Sequence, residues 1–230
     1  MNRRVPMTTG RRLALVIGVP LILLIIGWNA LSAAAYAGQA TYPVRLDLPA
    51  SGGTVKVSID SGDLNGGPGA GDRLRLTGTA RYSVVRSTVT WHATPSGVTV
   101  VSRCHFVAGE CSFNYRVALP AGSPAILSDG SGDIIVTGVT STDVTASDDS
   151  GDVTLTFTKI PDRVRVSDQF GDVTLLLPPG RTAYRVSAHA SFGDTSVGVP
   201  TSPSSTHVIT VINHNGGISI GNQPRSTSAG

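Results

Sequence analysis

The sequence predicts an all-β protein, a β-solenoid of roughly 20-residue rungs with Gly-Asp corners, preceded by one apolar N-terminal helix. Three observations lead there. The 230 residues are rich in Val, Thr, Ser and Gly, with lysine only at Lys56 and Lys159 and glutamate only at Glu110, a balance that starves helices and suits strands and turns. A short motif recurs at Ser131-Gly132-Asp133, Ser150-Gly151-Asp152, Phe170-Gly171-Asp172 and Phe192-Gly193-Asp194, then Asn215-Gly216-Gly217, with an outlying copy at Ser61-Gly62-Asp63. Around each of these glycines, apolar residues alternate with polar ones.

The N-terminal element comes first. Residues 1–12 hold Arg3, Arg4, Arg11 and Arg12 and no acid, and no charge follows until Arg45. Residues 13–37 are predominantly apolar; as a helix they would be about 37 Å long, enough to cross roughly 30 Å of hydrocarbon with some tilt. The arginine asymmetry predicts a cytoplasmic N-terminus and an extracytoplasmic remainder, so that membrane lipid is a partner of residues 13–37. The alternative is a secreted protein, because Ala35-Tyr36-Ala37 also fits a signal-peptide cleavage site near Ala37. The expected organisation is a basic cytoplasmic tail (1–12), a membrane helix (13–37), a linker (38–45), an extracytoplasmic domain (46–221) and a frayed polar tail (222–230).

Within the domain, 42–60 and 73–119 read as strands, separated by a flexible glycine-rich loop at 65–71 (NGGPGAG). Cys104 and Cys111 are the only cysteines. Their spacing, with Gly109 between, predicts a disulfide across a hairpin in an oxidising compartment.

The repeat region follows. Counted back seven residues from each corner glycine stand Val55, Ala125, Val144, Val164, Val186 and Ile209; five back stand Val57, Leu127, Ala146, Val166, Ala188 and Val211. Two residues after it stand Leu64, Ile134, Val153, Val173, Thr195 and Ile218. Alternation on both sides of a glycine means strand, tight turn, strand, and such units bury a continuous core only when stacked. An antiparallel β-sandwich, with turns at a similar spacing, is the alternative.

Charge excludes one class of function. The net charge is +3, but beyond the N-terminal arginines 14 bases face 15 acids, with the arginines scattered singly along the sequence. No nucleic-acid partner is expected without a concentrated basic face. No G-x-S-x-G, S-x-x-K, H-E-x-x-H or P-loop signature occurs, and His92, His105, His189, His207 and His214 are dispersed, so no catalytic residue and no cofactor is assigned and the protein is read as no enzyme.

The aspartates are the one constellation with possible chemistry. Asp129, Asp148 and Asp168 lie three residues before a corner glycine, and Asp133, Asp152, Asp172 and Asp194 one after it. Stacked, they would line one corner, where each caps its own turn through backbone N–H groups. No metal site is assigned; Asp148, Asp149 and Asp152 form the densest calcium candidate.

Residues 115–122 (YRVALPAG), the SGDIIVTG of 131–138 and the recurring GDV strands resemble the bacterial putative-adhesin domain family over residues 46–221. The resemblance implies a β-solenoid domain of unknown function displayed behind a membrane helix at the cell envelope, with an adhesive or structural role and an envelope protein or glycan as its ligand. A sensory or regulatory ectodomain acting through membrane partners is the alternative.

Overall fold

The computed structural model describes residues 14–50, 52–105 and 109–224. The basic tail and most of the expected polar tail lie outside the described residues. A π-helical turn, Ala14–Gly18, leads into helix α1, Val19–Ala37. The expected membrane span is not shown: among the described residues no helix is long and apolar enough to cross a membrane. The 19 residues of α1 rise about 28 Å, just under a bilayer's hydrocarbon thickness. The apolar run is also broken at Asn29, whose Nδ2 donates to the Ile25 carbonyl at 2.7 Å. The large side chains of Val16, Ile17, Val19, Leu21–Ile26 and Trp28 are exposed and take no part in the core.

Seventeen strands follow: β1 (Ala40–Pro49), β2 (Thr54–Ile59), β3 (Leu64–Pro68), β4 (Arg73–Tyr82), β5 (Thr88–Thr94), β6 (Gly97–Arg103), β7 (Cys111–Leu119), β8 (Ala125–Asp129) and β9 (Ile134–Val139), then β10 (Asp143–Asp148), β11 (Val153–Phe157), β12 (Arg163–Phe170), β13 (Val173–Leu177), β14 (Arg185–Phe192), β15 (Thr195–Val197), β16 (Val208–Asn215) and β17 (Ile218–Asn222). Two expectations are corrected. The linker expected over 38–45 is mostly strand β1, because Val44 and Leu48 pack inward and β1 pairs with β4 along its whole length. The flexible loop expected at 65–71 begins with strand β3, which the flanking β7 and β9 hold by parallel pairing despite its glycines.

The strands form two sheets. One has the order β1-β4-β7-β3-β9-β11-β13-β17-β15 and the other β14-β16-β12-β10-β8-β2-β6-β5. Fourteen strands make seven rungs, each giving one strand to each sheet. Rungs stack by parallel pairing, while antiparallel pairing is confined to β1–β4, β4–β7 and β5–β6. The stacking register is the one the corner glycines imply: Val55, Ala125, Val144, Val164, Ile209 and Val186 form one row, and Leu64, Ile134, Val153, Val173, Ile218 and Thr195 another. Inward side chains of both sheets, from Val55 and Leu64 to Ile209 and Ile218, build one continuous core.

Rung order departs from chain order at both ends. From the N-terminal end the stack runs β6/β7, β2/β3, β8/β9, β10/β11, β12/β13, β16/β17, β14/β15. The C-terminal rung is thus inserted beneath the one that precedes it in sequence. A repeat of fixed period carries no label for which neighbour each copy takes, so the sequence is silent on this.

The Cys104–Cys111 disulfide forms, with Cα atoms 5.8 Å apart. Its context differs from the expected hairpin: β6 and β7 enter different sheets, so the bridge closes a rung corner in place of a Gly-Asp turn. Serine at both positions is expected to cost about 2–3 kcal/mol, from loop-closure entropy returned to the unfolded chain. Urea denaturation of oxidised protein and double variant checks this, and equal midpoints would show that the corner holds without its bridge.

Candidate functional site

The corner column is built by the strand period. Asp129, Asp148, Asp168 and Asn213 stand opposite one another in register, bounded by Ile59 at one end and Ala190 at the other. Their side chains share the inward parity of the core residues, and all four are buried: Asp148 is 1% exposed and Asn213 0%. Asp129 Oδ1 accepts from the Ser131 N–H at 3.0 Å and Asp148 Oδ1 from the Ser150 N–H at 3.3 Å, the turn capping expected of them. Their Oδ2 atoms have no partner, while the Asp168 carboxylate lies against the backbone N–H groups of Gln169 and Phe170.

Burial is the leading cause of a rise in all three pKa values, since desolvation disfavours the charged form. Asp129 is pushed up to about 7, with the neighbouring Asp148 and Asp63 adding repulsion. Asp148 is raised to about 6, with Asp168 and Asp149 adding to it, and Asp168 to about 6, with Asp152 and Asp172. The charges that add to these rises all belong to aspartates.

The aspartates after the glycines do something different. Asp133 Oδ1 accepts the Asp152 N–H at 2.9 Å, Asp152 Oδ1 the Asp172 N–H at 2.8 Å, and Asp172 Oδ1 the Gly217 N–H at 2.8 Å. Each therefore ties its rung to the next, a correction to own-turn capping. The calcium candidates are separated by these tasks: Asp152 bonds a backbone amide of the next rung, Asp149 accepts from Gln169 Nε2 at 2.9 Å, and Asp148 is buried beneath them. Among the described residues no group of three or more acids, histidines or cysteines is placed to hold a metal ion. Nor are the histidines brought together. His92 lies at one edge of the eight-stranded sheet, on β5, and His189 and His214 at the other.

A second site was missed by reading along the chain. Arg45 of β1, Arg73, Arg75 and Arg81 of β4, and Arg116 of β7 all point outward from one face of the nine-stranded sheet. Asp47 takes Arg73 at 2.6 Å and Arg75 at 3.6 Å, and Glu110 takes Arg81 at 3.6 Å. Arg45 and Arg116 make no ion pair among the described residues. The arginines expected to be scattered are thus gathered by strand pairing, and the signal was their shared odd parity on β4 opposite buried Leu74, Leu76 and Ala80.

Beside Arg116 the sheet surface sinks into a trough of about 480 Å³ with Asn65, Gly67, Thr77, Thr137 and Arg75 on its lining. Its floor is β3, the glycine-rich strand. A Cβ on Gly67 would meet only the Thr137 carbonyl oxygen, at 3.9 Å, so that space stands open. A contiguous hollow of about 270 Å³ continues past Arg116 toward Gly78 and Asn114.

Comparison with known proteins places the fold. The crystal structure of a putative cell adhesion protein from Clostridium sporogenes superimposes with a TM-score of 0.55 at 10% identity, covering 80% of this chain and 100% of that one. A putative adhesin from Bacteroides fragilis aligns with a TM-score of 0.38 at 12% identity, over 79% of this chain and 97% of that one. No curated protein sequence matches. Residues 123–221, the rungs from β8/β9 to β16/β17, match the Toastrack DUF4097 family. Over that span the chain is similar to the Toastrack DUF4097 family, and it fits a putative-adhesin domain family of unknown function.

Proposed function

We propose that the protein is a non-enzymatic β-solenoid module of the bacterial cell envelope, held to the membrane by its N-terminal apolar segment, with an adhesive or structural role outside the cytoplasm. The observation that carries this is the Cys104–Cys111 bridge in the domain's framework, because disulfides persist in oxidising compartments. The exposed apolar side chains of α1 support it: a helix whose Leu21–Ile26 find no place in the core needs a cover other than water. The stacked rungs supply a stiff support. The adhesive part of the reading is an analogy with the similar fold from Clostridium sporogenes, named for cell adhesion.

Protease added to wall-stripped cells is expected to digest the β domain while cytoplasmic markers survive. Complete protection of the domain would overturn the reading. A soluble fragment beginning near Gly38 would replace membrane anchoring by a cleaved export segment.

A further inference from the structure

The glycine-floored trough has a composition that no structural need of the fold explains. On the neighbouring strand β7 the outward position in register with Gly67 carries Ala118, whereas β3 presents Gly67 and an open space. Glycine inside a strand gives up stability and marks a place where something approaches the backbone closely. Beside that space stands Arg116 with no acidic partner among the described residues, and Arg45 lies two strands away, opposite Thr77.

We propose that this trough binds an acidic polysaccharide, its carboxylates pairing with Arg116 and Arg45 and its hydroxyls meeting Asn65, Thr77 and Thr137. The proposal deepens, and rests on, the reading of the domain as an outward-facing adhesive module. Guanidinium groups match carboxylates in a planar, two-point fashion. The two arginines, separated by two strand spacings, stand roughly 10 Å apart along the sheet, which suits a polymer carrying charge at repeated units. Thr77 lies between them and Asn65 and Thr137 lie beyond Arg116, so the hydroxyl and amide side chains along this row suit a ligand rich in hydroxyls. No aromatic ring lines the trough, so a neutral sugar has no stacking platform. An acidic peptide has no strand edge to join, because β3 is hydrogen-bonded on both sides, to β7 and β9.

The probe is polygalacturonate, titrated calorimetrically into the purified full-length chain in detergent. Saturable binding that weakens with added salt is expected. Arg45→Gln with Arg116→Gln is expected to lower affinity about tenfold or more, as loss of charge-assisted pairs does. Gly67→Val is the sharper variant. It fills the open space, puts a β-branched residue in a strand, and should abolish binding without lowering the melting temperature.

Absence of binding at low ionic strength, or undiminished binding by Gly67→Val, would overturn the site. Equal competition by poly-glutamate, or by an oligonucleotide of matched charge, would overturn the ligand class. Failure is separable from that of the envelope reading. A protease-protected domain that binds polygalacturonate sinks only the location, and an exposed domain that does not bind sinks only the trough.

Discussion

Alanine in place of Gly171 is expected to cost the β domain at least about 3 kcal/mol, from backbone strain and forced displacement of the neighbouring rung. The glycine turns the β12/β13 corner with φ +151°, a region that side-chain-bearing residues rarely enter. A Cβ there would run into the Gly151 carbonyl oxygen, just as one on Gly151 would meet that of Gly132. The corners sit this close because their hydrogen bonds continue the ladder around the bend: the Gly151 N–H donates to the Phe170 carbonyl and the Gly171 N–H to that of Asn215. Relief at one corner must therefore move its neighbours. Gly180 is the matched control, with only the Thr182 nitrogen at 4.0 Å from a new Cβ and no unusual φ. Urea melts of Gly171→Ala and Gly180→Ala should differ by most of the stated amount. Equal midpoints would show the corners to be looser than their contacts imply.

The second large effect is a stability that falls as pH rises. Asp129, Asp148 and Asp168 have folded-state pKa values raised to about 7, 6 and 6, against roughly 4 for an unfolded aspartate. Between those values the folded state holds more protons than the unfolded one, so unfolding free energy decreases with pH. The contribution is fully present below about pH 4 and gone above about pH 7. Summed over the three buried groups, it comes to several kcal/mol.

Asn213 shows what the column wants. Its Nδ2 donates to the Gly171 carbonyl at 2.8 Å and to that of Gly217 at 3.2 Å. By register, Asp148 faces the carbonyls of Gly132 and Asp152, to which an ionised carboxylate has no hydrogen to offer. Asp148→Asn is therefore expected to raise the melting temperature at pH 8 and flatten its dependence between pH 4 and 7. A variant less stable than the parent at pH 8 would mean that the charged aspartate is held by contacts beyond these.

How much of this could be read along the chain depended on what repeats. Apolar parity around the corner glycines carried the register of six rungs, since side chains opposite one another share the same offset. The same parity, extended to the position three before the glycine, points Asp129, Asp148 and Asp168 inward, a step the turn-capping expectation did not take. Turn chemistry, which favours exposed aspartate, gave the competing reading, and for these three the strand period prevailed. The basic face was beyond reach for a different reason. Arg45, Arg75 and Arg116 come from three strands whose adjacency depends on β4 and β7 pairing antiparallel outside the repeat. The β6/β7 rung, whose corner carries a disulfide and Gly109 in place of the Gly-Asp motif, offers nothing in the repeat to count from.

The inserted C-terminal rung bears on how the molecule is completed. Among the described residues β14 pairs only with β16 and β15 only with β17. A chain leaving the ribosome or a translocation pore amino end first cannot finish the array one layer at a time. It must keep residues 185–197 waiting until the last strands slot in behind them. A nick ahead of Val208 would then strip away two layers where a simple stack would lose one. Until β16 and β17 dock, β12 and β13 form a bare edge, and residues 208–222 are the key that closes it.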